Sequence, residues 1–219
     1  MQEDSVLLID KPSGMTSFGV VARVRRKLSQ QLGKKAKVGH TGTLDPFATG
    51  LMIIVTGKEC RNAGTYSKLD KVYEATIRLG QTSSTGDPEG EITEISDIQP
   101  TLDEVTEALS QFVGEIQQTP PIYSAIKING QRAYKLARKG ETVEMPVRTV
   151  TIFSLELVDY IYPDIKIRVH VSSGTYIRTL AEDIGKVLGT GAYCTQLRRT
   201  KIADFSIDDS ALTSEYETY

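Results

Sequence analysis

The sequence predicts an α+β fold built on a mixed, mostly antiparallel sheet. Helical and strand-like patterns of apolar residues are mixed along the 219 residues, and consecutive strand patterns are often joined by short turns. Short turns favour antiparallel neighbours over a doubly wound parallel sheet. No internal repeat or low-complexity linker interrupts the chain, so its length fits one large domain or one domain with a small appendage.

The first elements are a strand over residues 5–9, a turn over residues 10–14 and a basic helix over residues 17–32. Thr16 or Ser17 is expected to cap the helix. Its predicted buried stripe consists of Val20, Val21, Val24 and Leu28.

Residues 39–50 (GHTGTLDPFATG) form a glycine-rich loop with one carboxylate, Asp45. Pro46 restricts Asp45 to extended conformations, so Asp45 should not lie inside a helix. Residues 51–55 follow at once as a buried strand. A loop that presents an acid and is anchored by core residues is typical of a catalytic site, although an Asp before Pro is also a common turn former. His40 adds a titratable group within the same loop.

The middle of the chain begins with an alternating strand over residues 71–79, which places Tyr73 on the face of the core residues. A core tyrosine is the interpretation that the pattern alone favours. A short strand near Ile92 and a helix that starts at a capping box on Thr101 come next. The predicted stripe of this helix is Leu102, Val105, Leu109 and Phe112.

In the second half of the chain, the sequence predicts a tight turn at residues 129–130 and a short basic helix over residues 131–139. The tyrosine and the cations of this helix suit either contact with RNA or an exposed amphipathic surface. A strand over residues 150–159 should carry a bulge at residues 153–154. A second alternating strand covers residues 165–171, and a last one follows residue 189.

A helix that opens at residues 172–178 and ends near Leu188 carries Arg178 in its first turn, where a cation opposes the helix dipole. Such a placement predicts a partner, and a carboxylate is the obvious one, with Asp45 as the candidate. The alternative is an exposed surface arginine.

Charge is divided unevenly, although the net charge is only −2. Residues 11–44 contain eight Lys or Arg and no acid, residues 79–126 contain no Lys or Arg, and the tail after Lys201 carries only acids. This division of charge is consistent with one surface that binds a polyanion. The alternative is that the charged segments are simply exposed to solvent.

Several classes of function are not supported by the sequence. It contains no phosphate-binding NTPase loop, no GxGxxG, no GxSxG and no HExxH. Two distant cysteines and two histidines make a metal centre or a disulfide scaffold improbable. The sequence lacks a signal-peptide pattern and an apolar run of membrane-spanning length, so a cytoplasmic location is expected.

Six segments together resemble the bacterial TruB-type tRNA pseudouridine-55 synthases, in the order found in that family. They are residues 10–17, 39–50, 71–74 with 79–80, 119–125, 174–178 and 197–199. The resemblance implies the pseudouridine synthase fold, a central mixed sheet flanked by helices and loops. It also implies isomerisation of uridine 55 in the TΨC loop of tRNA to pseudouridine, without metal or cofactor.

The resemblance also implies roles for residues. Asp45 is the expected nucleophile, acting on ribose C1′ or on the uracil ring, and both routes remain open. Tyr73 is expected to stack on the target base and to take up its C5 proton, and Arg178 to pair with Asp45. The expected substrate-binding residues are His40, Tyr176, Leu197, Lys11 and Arg198, with His40 filling the space left by a flipped base rather than acting as an acid or base.

The resemblance further implies a catalytic domain over residues 1–207, with a mobile insertion at about 120–148 that clamps the RNA. Only an acidic stub, residues 208–219, stands where the family commonly has a further RNA-binding domain, so reduced tRNA affinity is expected. A monomer without guide RNA, obligate protein partner or membrane association is expected. The alternatives are a module that binds and folds the tRNA elbow, with catalysis secondary, and a nucleoside hydrolase or glycosylase, although such sites usually carry more carboxylates than lie near Asp45.

Overall fold

The computed structural model describes residues 3–124, 127–128, 131–133, 136 and 144–212. Its strands are β1 (Val6–Lys11), β2 (Val38–His40), β3 (Thr49–Thr56), β4 (Lys71–Leu79), β5 (Gln81–Ser83), β6 (Ile92–Glu94), β7 (Gly114–Gln118), β8 (Lys127–Ile128), β9 (Gln131–Arg132), β10 (Arg148–Ile161), β11 (Asp164–Val171), β12 (Ala192–Ile202), β13 (Phe205–Ser206) and β14 (Ala211–Leu212). Its labelled helices are α1 (Ser17–Leu32), α2 (Ala63–Ser67), α3 (Leu102–Ser110) and α4 (Ile177–Val187), and two 3₁₀ helices span Gly57–Arg61 and Ile207–Asp209.

The chain forms two compact units, one of Met1–Glu74 with Leu197–Tyr219 and one of Ala75–Gln196. Strands β4 and β12 contribute residues to both. The mixed sheet and the few helices confirm the predicted α+β class. No helix among the described residues is both long enough and apolar enough to cross a membrane.

The first unit is organised around β3, whose residues from Gly50 to Thr56 are all buried. Strands β1 and β2 pair with β3 antiparallel, β12 pairs with it parallel, and β14 runs parallel to β1. Apolar side chains on one face of β3 form a core with Ile202; they are Leu51, Ile53 and Val55. The central strand is therefore a rigid base for the loop that precedes it.

Helix α1 confirms the prediction for residues 17–32. The Thr16 hydroxyl accepts a hydrogen bond from the Gly19 amide at 3.0 Å, which satisfies a free amide of the first turn. Gly33 ends the helix in the left-handed conformation with φ of 64°. The four predicted stripe residues are all buried.

The second unit contains the antiparallel strands β11, β10 and β7 beside the end of β4, with α3 packed on β10 and α4. The register between β10 and β11 shifts at Phe153, which confirms the predicted bulge, and shifts again between Leu157 and Asp159. Glycine at position 185 allows close packing of α4, because a Cβ there would lie 2.4 Å from the Ala192 nitrogen.

One detail of the predicted helix α3 differs. Leu102 was expected in the buried stripe of α3 but is 56% exposed. It is the first residue of the helix, and Cβ atoms tilt toward the N-terminus, so its side chain projects past the helix end. The capping box at Thr101 is confirmed.

The predicted tight turn at residues 129–130 lies outside the described residues, but β8 and β9 pair antiparallel with Ile128 opposite Gln131, which is the register of a two-residue connection. Gln131 and Arg132 are in a strand, so the helix predicted over residues 131–139 cannot begin at Gln131. Ala133 and Leu136 are helical, and the remainder of that prediction lies outside the described residues.

Candidate active site

Asp45 lies in the loop between β2 and β3 and is outside any helix, as predicted, with a partly exposed side chain. Antiparallel pairing of β2 with β3 places His40 opposite Ile54, which fixes the start of the loop against the buried strand. The Ala48 amide donates to the Asp45 carbonyl at 3.2 Å, a local turn just after the acid. The loop thus presents one carboxylate from a base that the core holds in place.

Ser17 fixes the residue before Asp45. Its hydroxyl accepts a hydrogen bond from the Leu44 amide and donates one to the Leu44 carbonyl, both at 2.8 Å. Both residues are buried, so water cannot replace either bond. A single side chain on α1 therefore binds both the amide and the carbonyl of Leu44, the residue next to Asp45.

Lys11 fixes the residue after Asp45. Its side chain is fully buried, and its ammonium donates to the carbonyls of Pro46 at 3.1 Å, Met15 at 2.7 Å and Pro12 at 2.8 Å. Lys11 was predicted to bind substrate, but a buried ammonium with three carbonyl acceptors favours a role in holding the loop.

Arg199 links the two ends of the loop. This buried side chain donates from Nε to the Leu51 carbonyl at 2.7 Å and from a terminal nitrogen to the Gly42 carbonyl at 3.1 Å. The backbones also lie close, because a Cβ at Gly50 would be 2.3 Å from the Arg199 carbonyl oxygen. Gly50 has φ of 110°, a conformation that L side chains rarely adopt, so this position requires glycine.

The neighbouring Arg198 is half-exposed and forms a bidentate pair with Asp10, at 2.7 Å and 3.2 Å. It also donates to the Thr49 hydroxyl at 3.3 Å. The predicted substrate-binding arginine is therefore held by an acid beside the Asp45 loop, in a geometry that orients its planar fork.

Tyr73 is buried, with 8% of its surface exposed, which confirms the predicted inward face of β4. Leu197 is buried in the same unit, and His40 is half-buried at the end of β2. These residues and the Asp45 loop all belong to the first unit.

Lys71 lies two residues before Tyr73 on the same face of β4 and is also buried. Its ammonium donates to the carbonyls of Ser67 and Leu69. Burial and, to a lesser extent, the positive Arg199 lower its pKa to about 8, against the opposing effect of Asp70. Two buried cations, Lys71 and Arg199, thus lie in this part of the first unit.

In the second unit, Arg178 lies in the first turn of α4 and is buried, so the alternative of an exposed surface arginine is wrong. A terminal nitrogen donates to the Asp87 carboxylate at 3.1 Å and to the Thr85 carbonyl at 2.8 Å. Asp87 is buried too and also accepts from the Thr85 hydroxyl at 2.5 Å and the Glu89 amide at 3.0 Å. The predicted pairing of Arg178 with Asp45 stays a prediction.

The same guanidinium donates to the Tyr123 carbonyl at 2.9 Å, so Arg178 connects α4 to residue 123, within the segment at about 120–148 that was predicted to clamp RNA. Tyr176, two residues earlier, exchanges two hydrogen bonds with buried Gln118, at 2.8 Å and 3.0 Å. Tyr176 also packs against Ala133 and Met145 of that segment.

Glu182 lies one turn after Arg178, and burial raises the pKa of its carboxyl. Its Oε1 lies over Gly86, where a Cβ would be only 2.6 Å away. Among the described residues, no group of three or more His, Cys, Asp or Glu side chains could hold a metal ion.

Three residues with these supporting contacts were not predicted from sequence as functional: Ser17 and Arg199 of the first unit and Asp87 of the second. Ser17 was given a role only as a possible helix cap, although it ends the first matching segment, and Asp87 was considered only as part of an acidic stretch. Arg199 belongs to a matching segment, and its position beside Arg198 was the one signal available for it.

Two family models match the chain. Residues 25–177 match the TruB family pseudouridylate synthase N-terminal domain, and residues 178–216 match the tRNA pseudouridylate synthase B C-terminal domain. The second match includes the first turn of α4 and all of β12.

Several curated proteins named tRNA pseudouridine synthase B are similar over most of the chain. The protein of Phocaeicola vulgatus is 48% identical over 210 residues, covering 95% of this chain and 89% of the relative. The protein of Parabacteroides distasonis is 49% identical, covering 93% of this chain and 87% of the relative. The protein of Dechloromonas aromatica is 45% identical, covering 99% of this chain and 71% of the relative.

Among solved structures, the chain is similar to one described as a Cbf5-Nop10-Gar1 complex, at 30% identity and a TM-score of 0.72. A structure of an H/ACA RNP bound to a substrate RNA containing 2′-deoxyuridine is similar at 27% identity and a TM-score of 0.69. The chain is almost fully covered in both but spans only about half of those chains, 52% and 51%. The family models, the curated relatives and the fold agree, and the protein belongs to the TruB family of pseudouridylate synthases.

Proposed function

We propose that this protein converts uridine 55 in the TΨC loop of tRNA to pseudouridine, with Asp45 as the nucleophile. The relatives named tRNA pseudouridine synthase B support the reaction and the class of RNA. The observation that carries the proposal is the support of the Asp45 loop, which buried side chains hold immediately before Asp45, immediately after it and at both ends. A nucleophile needs such support, since small displacements of a reacting atom cost much of the rate.

The chemistry requires that one C–N glycosidic bond breaks and one C–C bond forms, with no net change in composition. A carboxylate oxygen of Asp45 forms a covalent bond to ribose C1′ as uracil leaves, or to the uracil ring by addition. Either route divides one hard step into easier ones. The uracil then turns so that C5 faces C1′ and the C–C bond forms. The bond to Asp45 breaks, which regenerates its carboxylate, and the proton lost from C5 is balanced by a proton gained at N1.

Tyr73 is proposed to stack on the uracil and to take up the C5 proton. Its buried position on the inward face of β4 suits a ring that packs against a base in a dry pocket. A dry pocket matters because water would otherwise hydrolyse the covalent intermediate.

Arg178 is proposed to keep Asp45 ionised and oriented, since a nearby cation favours the charged form of a carboxylate. The Asp87 carboxylate and the Thr85 and Tyr123 carbonyls would hold this guanidinium in place. Its contact with the Tyr123 carbonyl would also connect the catalytic chemistry to the segment proposed to clamp the RNA.

Uridine 55 is proposed to flip out of the RNA before reaction. Flipping costs a few kcal/mol, and a ring that fills the vacated space offsets part of that cost. His40 is the proposed wedge, because it stands at the start of the Asp45 loop. Tyr176 and Leu197 would line the pocket, and Arg198 would contact RNA beside it.

The test is to incubate the purified protein alone with an unmodified tRNA transcript and to map pseudouridine along it. Formation at position 55 without added protein or guide RNA is expected. Product at another position only would refute the proposed site, and no product would refute the proposed activity. If the protein binds and folds the tRNA without forming pseudouridine, the binding module is the correct function.

A further inference from the structure

Phe18, the second residue of α1, is a large aromatic side chain that is 65% exposed. It lies off the buried stripe of its helix, whose other apolar side chains pack inward. Single exposed apolar residues are common, so exposure alone gives Phe18 no function. Three further features of the protein bear on its role: the contact that supports the ring, the position of the ring and the charge of the segment around it.

Arg25 supports the ring from one side. Its guanidinium carbon lies 5.7 Å from the centroid of the Phe18 ring, within the range of a cation–π contact. The same guanidinium donates to the Val38 carbonyl at 3.1 Å. The Arg25 side chain thus contacts both the Phe18 ring and the backbone of β2. Phe18 and Arg25 together form a fixed surface, which we term the Phe18 platform.

The Phe18 platform is attached to the catalytic loop at two points. Ser17, the residue before Phe18, holds both backbone polar groups of Leu44, which precedes Asp45. The Val38 carbonyl bound by Arg25 is two residues before His40. The platform is thus built on the elements that position the nucleophile and the proposed wedge.

The charge around the platform indicates which partner it suits. Residues 11–44 contain eight Lys or Arg and no acid, and of these Arg26, Lys35 and Lys37 are exposed. A protein or lipid partner could use an aromatic ring, but a ring within a segment that contains eight cations and no acid matches a polyanion. Proteins that bind unpaired nucleotides combine aromatic rings with cations in this manner.

We propose that the Phe18 platform stacks on an unpaired nucleotide of the tRNA other than the uridine that reacts. The proposal rests on the proposed function, because it takes tRNA as the substrate. The ring would stack on the base, while Arg25 keeps the ring in place and the neighbouring cations bind phosphates. The platform then contributes to RNA affinity and not to the chemical step.

The chain contains no tryptophan, so Phe18→Trp places the only tryptophan at the platform, and excitation at the red edge of the tryptophan band avoids its ten tyrosines. A T stem-loop RNA with uridine at the reacting position is titrated into this variant, and binding is followed independently by the anisotropy of labelled RNA. Quenching of the tryptophan emission at saturating RNA is expected, since stacking on a base quenches indole. Phe153→Trp is the matched control, because Phe153 is also exposed but lies on β10, outside the basic segment.

Phe18→Ala is expected to raise the Kd for the stem-loop by about five- to 150-fold, the usual loss for one stacked base. Phe18→Tyr should restore it, and Phe18→Leu, which is apolar but not aromatic, should not. The single-turnover rate at saturating RNA should stay within about twofold. Full affinity of Phe18→Leu, or unchanged emission of Phe18→Trp with bound RNA, would overturn the proposal.

The outcomes for the two proposals are separable, because the binding measurements need no turnover. Pseudouridine formation with no change in Phe18→Trp emission would refute the platform alone. Quenching without pseudouridine formation would refute the proposed reaction and leave the platform standing.

Discussion

Ser17→Ala tests whether α1 holds the backbone beside Asp45. The substitution removes the one hydroxyl that accepts from the Leu44 amide and donates to the Leu44 carbonyl, each at 2.8 Å. Ser17 and Leu44 are both buried, so the amide and the carbonyl lose their partner in a place that water does not reach.

A buried polar group left without a partner costs about 1–3 kcal/mol, and two such groups share one site here. Alanine is a slightly better helix former than serine, which returns a few tenths of a kcal/mol. A loss of about 2 kcal/mol or more is therefore expected, and for a chain of this length it corresponds to a fall in Tm of about 4–8 °C.

The expected effect on catalysis is larger than that on binding. A loop that relaxes at Leu44 moves the Asp45 carboxylate, so kcat should fall by about tenfold or more while KM changes little. The free energy of unfolding is measured by urea titration followed by circular dichroism, and kcat by the rate of pseudouridine formation.

Ser13→Ala is the matched control. Its hydroxyl donates to the Phe47 carbonyl of the same loop at 3.0 Å, but this bond is exposed, and water can replace it. A change within about 0.5 kcal/mol is expected. If Ser17→Ala proves no more destabilising than Ser13→Ala, or leaves kcat unchanged, the reasoning about the loop is refuted.

Three further predictions concern charge. Asp87→Asn removes the buried carboxylate that accepts from Arg178 at 3.1 Å, so a loss of about 3–5 kcal/mol in the free energy of unfolding and a fall in kcat are expected. Urea unfolding and the activity assay measure these two effects, and wild-type values for both would contradict the prediction. Lys71 has a pKa of about 8 in the folded chain and the ordinary lysine value of 10.5 in the unfolded chain. Between these pH values the unfolded chain therefore binds more protons, and the contribution of Lys71 to the free energy of unfolding rises with pH. Lys71→Met should remove that rise, which urea midpoints at neutral and alkaline pH will detect, and an identical pH dependence in both proteins would count against it. Affinity for tRNA should fall linearly with salt concentration on logarithmic axes, as phosphate contacts require, and a flat dependence would exclude them.

Elements that depend on local patterns were predictable from the sequence. The limits of α1 follow from its apolar stripe and from Thr16 and Gly33 at its ends. The bulge at Phe153 was visible because the inward set of β10 changes parity there. The position of Asp45 outside any helix follows from Pro46.

The contacts that hold the Asp45 loop and the contacts that hold Arg178 were not predictable, because they join residues that are distant in the chain. Arg199 reaches Gly42 across 157 residues, and Arg178 reaches Asp87 across 91. No periodic pattern encodes such pairs. The unfavourable position of Arg178 at a helix start did predict a carboxylate partner, but it could not indicate Asp87, which stands within a run of acids.

Exposure of individual side chains was the least predictable property. Leu102 fits the apolar period of α3 and is nevertheless exposed, while Lys11 lies within a basic segment and is fully buried. The first depends on where the helix ends and the second on the three carbonyls around the ammonium, and both are features of the tertiary structure.

The proposed reaction depends most on Asp45 as the covalent catalyst, on a loop that Ser17, Lys11 and Arg199 hold through its backbone. The most direct test is a single-turnover reaction of Asp45→Asn with saturating unmodified tRNA, alongside its Tm and its Kd for the same RNA. The account predicts no detectable pseudouridine at position 55, with Tm and Kd close to those of the wild type. Pseudouridine formed at the wild-type rate by Asp45→Asn would contradict it.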